Sequence, residues 1–331
     1  MIRHSILGAP ALAPLANKVT LTCLDIGARR GFTKDLLAIA PLVDAIGFEA
    51  DEGECKRLNQ QAPGQSGPWH SLRFLPVAVG PAVGAATLHL YRQRGCSSML
   101  EADVELARVF SRADYYVLED TVQVPVEPLD GVAVKHGFTD AAFMKIDVQG
   151  FELGVFRGAR DLLAGPMTAV RSEISFAPMY KDQPLFGDIA GHLRPFGFMP
   201  MAFLELHSWR RTTRVKYPER SPGPYPYSQG QLIHGDVLFM KHPEAMSDGN
   251  ERDLLSVVRA GLLALAYEHV DHAAALLGRA RVKEYLRDIH GVAADDVVRE
   301  ASQQVGARLR GAAFMRLQHQ ARSALKGLFS R

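Results

Sequence analysis

At 331 residues the chain can bury a full core, as one large domain or two smaller ones. Its 47% hydrophobic and 22% charged residues exclude a disordered chain, and a net charge of +2 gives no support to nucleic-acid binding driven by overall charge. Cys23, Cys55 and Cys96 are odd in number and widely spaced without metal-like pairing, so they read as free thiols of a reducing compartment.

No run approaches the ~20 apolar residues that cross a bilayer. Leu254 to Tyr267 comes nearest but is short and interrupted by Arg259. The lead-in, residues 1–18, has too little apolar length and carries Pro10 and Pro14, so it makes a poor secretion signal. A cytoplasmic location is the expectation.

From residue 19 to about 245, strand and helix patterns alternate, which argues for an α/β fold. Val19 to Ile26 is a β-branched apolar run that ends at a glycine turn. Phe32 to Ala40 reads as a helix stopped by Pro41, Ala45 to Phe48 as a short buried strand, and Glu52 to Gln61 as a polar helix before a loop at Pro63 to Pro68. Phe74 to Val79 reads as a third strand, with Pro76 marking an edge or an end. Ala86 to Tyr91 adds a strand, Gly95 to Ser98 a loop, Glu101 to Phe110 a helix and Val122 to Pro128 an extended segment. Phe143 to Val148 is a strong strand, followed by a helix over Glu152 to Leu163 and a strand over Thr168 to Ile174. Ile189 to Leu193 lies in a helix, and Phe198 to Leu204 and Val237 to Met240 read as the last strands. Between these two, Arg210 to Gln231 is irregular and rich in Pro, Tyr, Arg and Gly, either a substrate-side lid or a passive surface loop. Residues 246–331 lose proline altogether after residue 248 and turn helical, which predicts an appendage of three or four helices.

Three signals carry chemistry. The first is a strand followed by Asp25-x-Gly27-x-x-x-Gly31, whose glycines allow a sharp turn and close approach to a ligand. A dinucleotide fingerprint needs G-x-G-x-x-G, and Arg29 stands where its second glycine would be. The loop therefore suits a ligand without a phosphate, such as an amino acid sulfonium joined to adenosine. The second signal is Glu49 at the end of the second strand, where an acid accepts hydrogen bonds from ribose hydroxyls in nucleotide-binding sheets; otherwise it is a solvated strand-end acid. The third is Met144-Lys145-Ile146-Asp147-Val148-Gln149-Gly150-Phe151-Glu152, which sets Asp147 at the carboxyl end of a central strand, where open α/β sheets bind ligands. Lys145 shares the face of Asp147 by alternation and requires a buried partner, with Asp25, Glu173 and Glu152 as candidates.

Together these elements resemble the FkbM family of methyltransferases. The resemblance spans roughly Thr22 to Lys241. It rests on LDIGARRG, GFEAD (Gly47 to Asp51), the Ser97-Ser98 loop, VPVEPLD (Val124 to Asp130), MKIDVQGFE with RGARDLL (Arg157 to Leu163), and SEISF (Ser172 to Phe176). It implies a class I methyltransferase, Rossmann-like, with a seven-stranded sheet whose last strand is antiparallel, binding S-adenosylmethionine and methylating a hydroxyl of a sugar, glycan or natural product. By the same resemblance Asp25, Gly27, Ala28 and Gly31 would hold the methionine part of the cofactor and Glu49 its ribose, with Val77 and Ala78 near the adenine. Many family members have Asn where this chain has Arg29.

Methyl transfer to an alcohol needs alignment of donor and acceptor and a destination for the hydroxyl proton. Asp147 is the candidate base or orienting group and Glu173, at the end of the next strand, the alternative; Asp147 could instead only pair with Lys145 or contact the cofactor. His207 and His234 come late enough in the chain to approach the acceptor side. Asp147 and Glu173 could ligate a metal, but no third ligand is evident, so no metal is expected. The segment Ala301 to Arg331 has no acid and six bases, and Val305, Leu309, Ala313, Leu317, Ala324 and Leu328 fall broadly on one face, where Arg316 also projects and which Arg310 borders. Such a helix packs on the fold or a partner chain, or binds an anionic membrane surface. A nucleotide-dependent oxidoreductase is disfavoured by the incomplete phosphate loop, and a non-catalytic binding module that keeps the fold is the remaining alternative.

Overall fold

The computed structural model describes residues 13–16, 18–61, 67–211 and 230–329, the last part of these (312–329) as helix backbone. The described residues fall into two compact units, one of Thr20–Lys34 with Val43–Met246, the other drawn from Met1–Val19, Asp35–Leu42 and Ser247–Arg331.

The first unit is built on β1 (Leu21–Ile26), β2 (Val43–Phe48), α1 (Glu52–Gln61), β3 (Ser71–Leu75), β4 (Ala78–Val79), β5 (Gly84–Tyr91), α2 (Val104–Val109), β6 (Leu118–Glu127) and α3 (Leu129–His136). It continues through β7 (Phe143–Ile146), α4 (Glu152–Arg157), α5 (Arg160–Ala164), β8 (Ala169–Ser175), α6 (Phe186–Leu193), β9 (Phe198–Trp209) and β10 (Gln231–Lys241). Seven strands form one sheet in the order β3-β2-β1-β7-β8-β10-β9. All neighbours are parallel from β3 to β8, whereas β10 runs antiparallel to both β8 and β9. This is the expected α/β sheet with its last strand reversed. The central strands β1 and β2 are apolar almost throughout because they are buried within a parallel sheet. Leu24, Phe48, Met144, Ile146 and Val170 join Val132, Val155, Phe156, Leu163 and Ile189 in one core.

Several local expectations shift. Phe74 to Val79 is not one strand. The chain leaves the main sheet at Pro76, which lacks a ladder N–H, and Ala78 then pairs with Val126 in a second sheet ordered β4-β6-β5. Phe32 to Ala40 is not an α-helix: a 3-10 stretch covers Asp35–Leu42, runs through Pro41 and breaks helical geometry at Ile39. The helix expected over Glu152 to Leu163 divides at Gly158. Its second half, α5, is capped from a distance by Asp130, whose two carboxylate oxygens accept from the N–H groups of Asp161 (2.9 Å) and Leu162 (3.1 Å). Helix α3, hidden in sequence behind VPVEPLD, ends at Gly137 with φ +73°.

The second unit holds α7 (Glu251–Ala266), α8 (Val270–Leu277), α9 (Ala280–His290) and α10 (Ala294–Phe329), which makes four helices among its described residues. Asn250 caps α7 by accepting from Asp253 N–H at 3.0 Å, and Tyr267 reaches Asp35 Oδ2 at 3.0 Å. Among the bases of α10, Arg308 pairs with Glu268. The rest of the basic, amphipathic face, from Ala313 through Arg316, Leu317, Arg322, Ala324, Lys326 and Leu328 to Arg331, lies outside the described side chains, as do residues 212–229, expected as lid or passive loop, and the lead-in before residue 13. Among the described residues no helix is long and apolar enough to cross a membrane.

Candidate functional site

Because β1, β2, β7 and β8 are parallel, their carboxyl ends open on the same edge of the sheet. Asp25, Glu49, Asp147 and Glu173 stand at those four ends. The turn after β1 is held by backbone hydrogen bonds: Gly27 and Ala28 N–H donate to Phe48 O at the end of β2 (3.2 and 2.9 Å), and Gly31 N–H to Ala28 O (2.8 Å). The expected helix N-terminus does not follow this turn. Instead Thr33 N–H donates to Asp25 Oδ2 at 2.8 Å, so the acid ties down the far end of the loop. Gly27 has φ +88°, and a Cβ placed there would stand 2.1 Å from the carbonyl oxygen of Asp147. Only glycine lets the β1 and β7 turns come together in this way.

Asp25 is 2% exposed, with Lys145 Nζ 3.3 Å from its Oδ1. The first of the three candidate partners for Lys145 is therefore the one found, and Asp147 Oδ2, 3.7 Å away, is a second. Burial pushes the Asp25 carboxyl above its ordinary value despite Lys145 and the Thr33 N–H. Burial opposes the Lys145 charge, but Asp25 and Asp147 outweigh it and hold the ammonium above its usual value.

Glu49, also buried, accepts from Asp51 N–H at 3.0 Å through Oε1. Its other oxygen accepts no hydrogen bond among the described residues. Burial raises this carboxyl, partly offset by the Asp51 N–H and by the charge of Arg29. Arg29 thus stands close enough for its charge to act on Glu49. Phe48 pairs with Leu75, so Val77 and Ala78 follow directly beyond the strand end that adjoins Glu49. Val77 packs half-buried on the main core and Ala78 is buried with Val124 and Val126.

The turn after β7 gathers more than the sequence announced. Asp147 N–H donates to Ile26 O at 3.1 Å, fixing the backbone, while its side chain remains 37% exposed. Gln149 sits in left-handed geometry at φ +55°, an uncommon state for a residue with a side chain. From there its Nε2 donates to Asp147 Oδ1 (2.7 Å) and Glu173 Oε2 (3.0 Å). Ser98 hydroxyl donates to Gln149 O (2.7 Å), and Tyr180 OH lies 3.3 Å from Gln149 Oε1 and 2.7 Å from Cys96 O. Gln149 was visible only as part of the KIDVQG motif, and nothing in the sequence pointed to Tyr180.

Glu152 is the third carboxylate that the sequence left unassigned. One oxygen each of Asp147, Glu152 and Glu173 lie within 4.8 Å of one another, so the expectation that no third acid approaches is corrected. A turn of positive-φ residues, Gln149 and Gly150, folds the α4 acid back over the strand end. Glu152 Oε1 accepts from Val148 and Gly150 N–H (2.9 and 3.2 Å). The three acids divide one another's protonation. Burial would raise Asp147, but Lys145 and the Gln149 amide hold it below the ordinary carboxylate range. Burial pushes Glu152 up to about 7, and burial, Asp147 and Glu152 in turn push Glu173 well above its usual value. Lys145 and Gln149 thus draw Asp147 toward its charged form, while its neighbours draw Glu173 toward the protonated one. His234 Nδ1 stands 3.2 Å from Glu173 Oε1, and His207 stacks on the ring of His234.

The methyltransferase FkbM domain matches residues 25–200, more than half of the chain. No curated protein matches. Among solved structures the chain is similar to the methyltransferase FkbM from Methylobacillus flagellatus KT, at 11% identity and TM-score 0.36, over 72% of this chain and 48% of that one. The chain therefore spans about half the length of that protein. It is also similar to magnesium protoporphyrin IX methyltransferase from Synechocystis PCC 6803 with bound SAM (12% identity, TM-score 0.30, 70% of this chain and 76% of that one). A third is the 23S rRNA methyltransferase ErmE (11%, TM-score 0.28, 89% and 95%). By the domain it carries from Asp25 onward, the chain belongs to the FkbM methyltransferase family.

Proposed function

We propose that the chain is an S-adenosylmethionine-dependent O-methyltransferase whose acceptor is a hydroxyl of a sugar, glycan or natural product. The observation that carries this reading is the meeting of the Gly27 turn with the Asp147 turn. It sets a glycine loop without a full phosphate cradle beside a partly exposed carboxylate that Lys145 and Gln149 draw toward its charged form.

The donor set fits the cofactor. Among the described residues Glu49 keeps a carboxylate oxygen that accepts no hydrogen bond, at the strand end where a ribose diol would sit. Val77 and Ala78 offer an apolar edge beside it for the adenine. Gly27, Ala28 and Gly31 would border the methionine part. Asp25, turned inward to Thr33 and Lys145, holds the shape of that loop from behind. When bound, S-adenosylmethionine supplies a methyl carbon made electrophilic by its sulfonium. Asp147 orients the acceptor hydroxyl and receives its proton. Gln149 and Lys145 fix the carboxylate that does so, and holding the reactants together removes much of the entropic barrier.

Calorimetric titration with S-adenosylmethionine and with NAD tests the reading, followed by turnover on a library of hydroxylated acceptors. Binding of S-adenosylmethionine and formation of a methyl ether are expected. Binding of NAD alone would point to an oxidoreductase, and binding of neither to a module that keeps the fold without the chemistry.

A further inference from the structure

Gln149 holds a backbone state that its residue type disfavours, and its neighbours show what keeps it there. Four described residues other than glycine have positive φ: Ser111, Gln149, Asp182 and Glu268. Ser111 and Glu268 stand one residue past the C-caps of α2 and α7, where left-handed geometry often ends a helix, and an aspartate such as Asp182 tolerates it. Gln149, at φ +55° in the turn between β7 and α4, has neither reason. Glycine would take the same geometry without strain, so the side chain is what the position retains.

A strap over residues 96–102 braces this turn. Ser98, 1% exposed, donates its hydroxyl to Gln149 O at 2.7 Å. The strap is tied to β5, where His89 and Ser98 exchange backbone hydrogen bonds (2.8 and 3.2 Å) and Tyr91 OH accepts from Ala102 N–H at 2.7 Å. On its other side Lys181 N–H donates to Glu101 O and Tyr180 OH to Cys96 O, both at 2.7 Å. That contact sets the Tyr180 oxygen 3.3 Å from Gln149 Oε1. Behind the turn lies buried Gln183, fixed by Ser175 hydroxyl (2.7 Å) and Tyr180 N–H (3.1 Å); a Cβ on Gly150 would stand 2.9 Å from its Nε2. With the backbone so held, the Gln149 amide spends its two hydrogens on Asp147 Oδ1 (2.7 Å) and Glu173 Oε2 (3.0 Å).

We propose that Gln149 is a positioning residue for methyl transfer, kept in strained geometry by the strap so that one amide aligns the carboxylates of Asp147 and Glu173 toward the acceptor hydroxyl. Ser98 and Tyr180 act through it. A carboxylate turns easily about its last bond, and a fixed donor on one oxygen sets the direction of the other. At Asp147 that leaves Oδ2, on the side of Lys145, in a defined place. Alignment of this kind is worth far more in rate than a single strained residue costs in stability. The purpose rests on the methyl-transfer reading, whereas the strain and its bracing do not.

Two substitutions in the full chain separate the backbone from the amide. Gln149→Gly and Gln149→Ala both remove the amide, but only alanine keeps the strain. The denaturant midpoint is expected to be higher for Gln149→Gly than for Gln149→Ala, the reverse of the usual order of these two residues. On an acceptor that turns over, both should lower kcat about tenfold or more while S-adenosylmethionine affinity stays that of the wild-type chain. Ser98→Ala should lower kcat in the wild-type background and lower it no further in Gln149→Gly, where no strained backbone is left to hold. A midpoint for Gln149→Ala at or above that of Gln149→Gly overturns the strain. Unchanged kcat in Gln149→Gly overturns the positioning role, and independent losses in the Ser98 pair overturn the action of the strap through Gln149. Failure of the wild-type chain to bind S-adenosylmethionine overturns the methyltransferase reading instead, a separate outcome that leaves the comparison of midpoints standing.

Discussion

The turns after β1 and β7 begin alike, with an acid at the strand end and a glycine of positive φ shortly after, yet their acids do different work. Asp25 is shut in at 2% exposure, with Thr33 N–H on one oxygen and Lys145 beside the other. Asp147 is anchored by its backbone, and its carboxylate stays 37% exposed. Burial dominates at Asp25 and raises its pKa, while Lys145 and Gln149 overcome burial at Asp147 and lower it. One lysine between two strands thus serves a framework acid and a reachable acid. The kind of residue at a strand end does not decide whether it holds the site or works in it; the donors around it do.

Removing the lysine should break that difference most severely. Lys145→Met leaves Asp25 buried without its counter-ion, and an unfolding free energy lower by about 3–5 kcal/mol is expected in denaturant titration. A loss under about 1 kcal/mol would mean that Asp25 is not held as described. Next comes the contact between the turns. Gly27→Ala drives a Cβ into the Asp147 carbonyl and strains a backbone at φ +88°, which should cost about 2–4 kcal/mol and abolish cofactor binding. Gly31→Ala is its control: φ is +91° but no atom lies within 4 Å of the added carbon, so only the strain of about 1–2 kcal/mol should appear. Equal effects at both glycines would remove the close approach as an explanation.

Glu152 sharpens the contrast through pH. Its pKa in the folded chain is about 7, above the ordinary 4.5 that an unfolded chain would show. The folded protein therefore keeps a proton that the unfolded chain releases. The stability this group contributes is full below 4.5 and is lost as pH rises through about 7. Melts should show up to about 3 kcal/mol of that decline, and Glu152→Gln should flatten it. An unchanged slope would place the titration elsewhere in the cluster.

Much of the fold was legible because parallel strands buried on both sides leave an apolar run that ends at a turn residue. β1 and β2 carry that signature most clearly, β7 keeps it around Lys145, and β8 shows it only at its start; together they bring Asp25, Glu49, Asp147 and Glu173 to one edge. What the sequence concealed depends on distant partners. The capping of α5 by Asp130 and the departure of β4 to a second sheet are set by tertiary contacts, not by local periodicity. The site shows the same limit. Spacing placed Asp147 correctly but said nothing of Gln149 turned to φ +55°, of Glu152 folded back on the strand end, or of Tyr180 arriving from another segment. Arg29, anomalous in a glycine loop, makes sense only beside Glu49, whose buried charge it eases.

The central claim, that Asp147 is the working acid at a cofactor site framed by Asp25, is tested most directly by one paired measurement on Asp147→Asn. S-adenosylmethionine affinity by calorimetry and methyl transfer to a hydroxylated acceptor are read on the same preparation. The account predicts affinity close to that of the wild-type chain and turnover lower by about a hundredfold or more. Full turnover with affinity intact would contradict it.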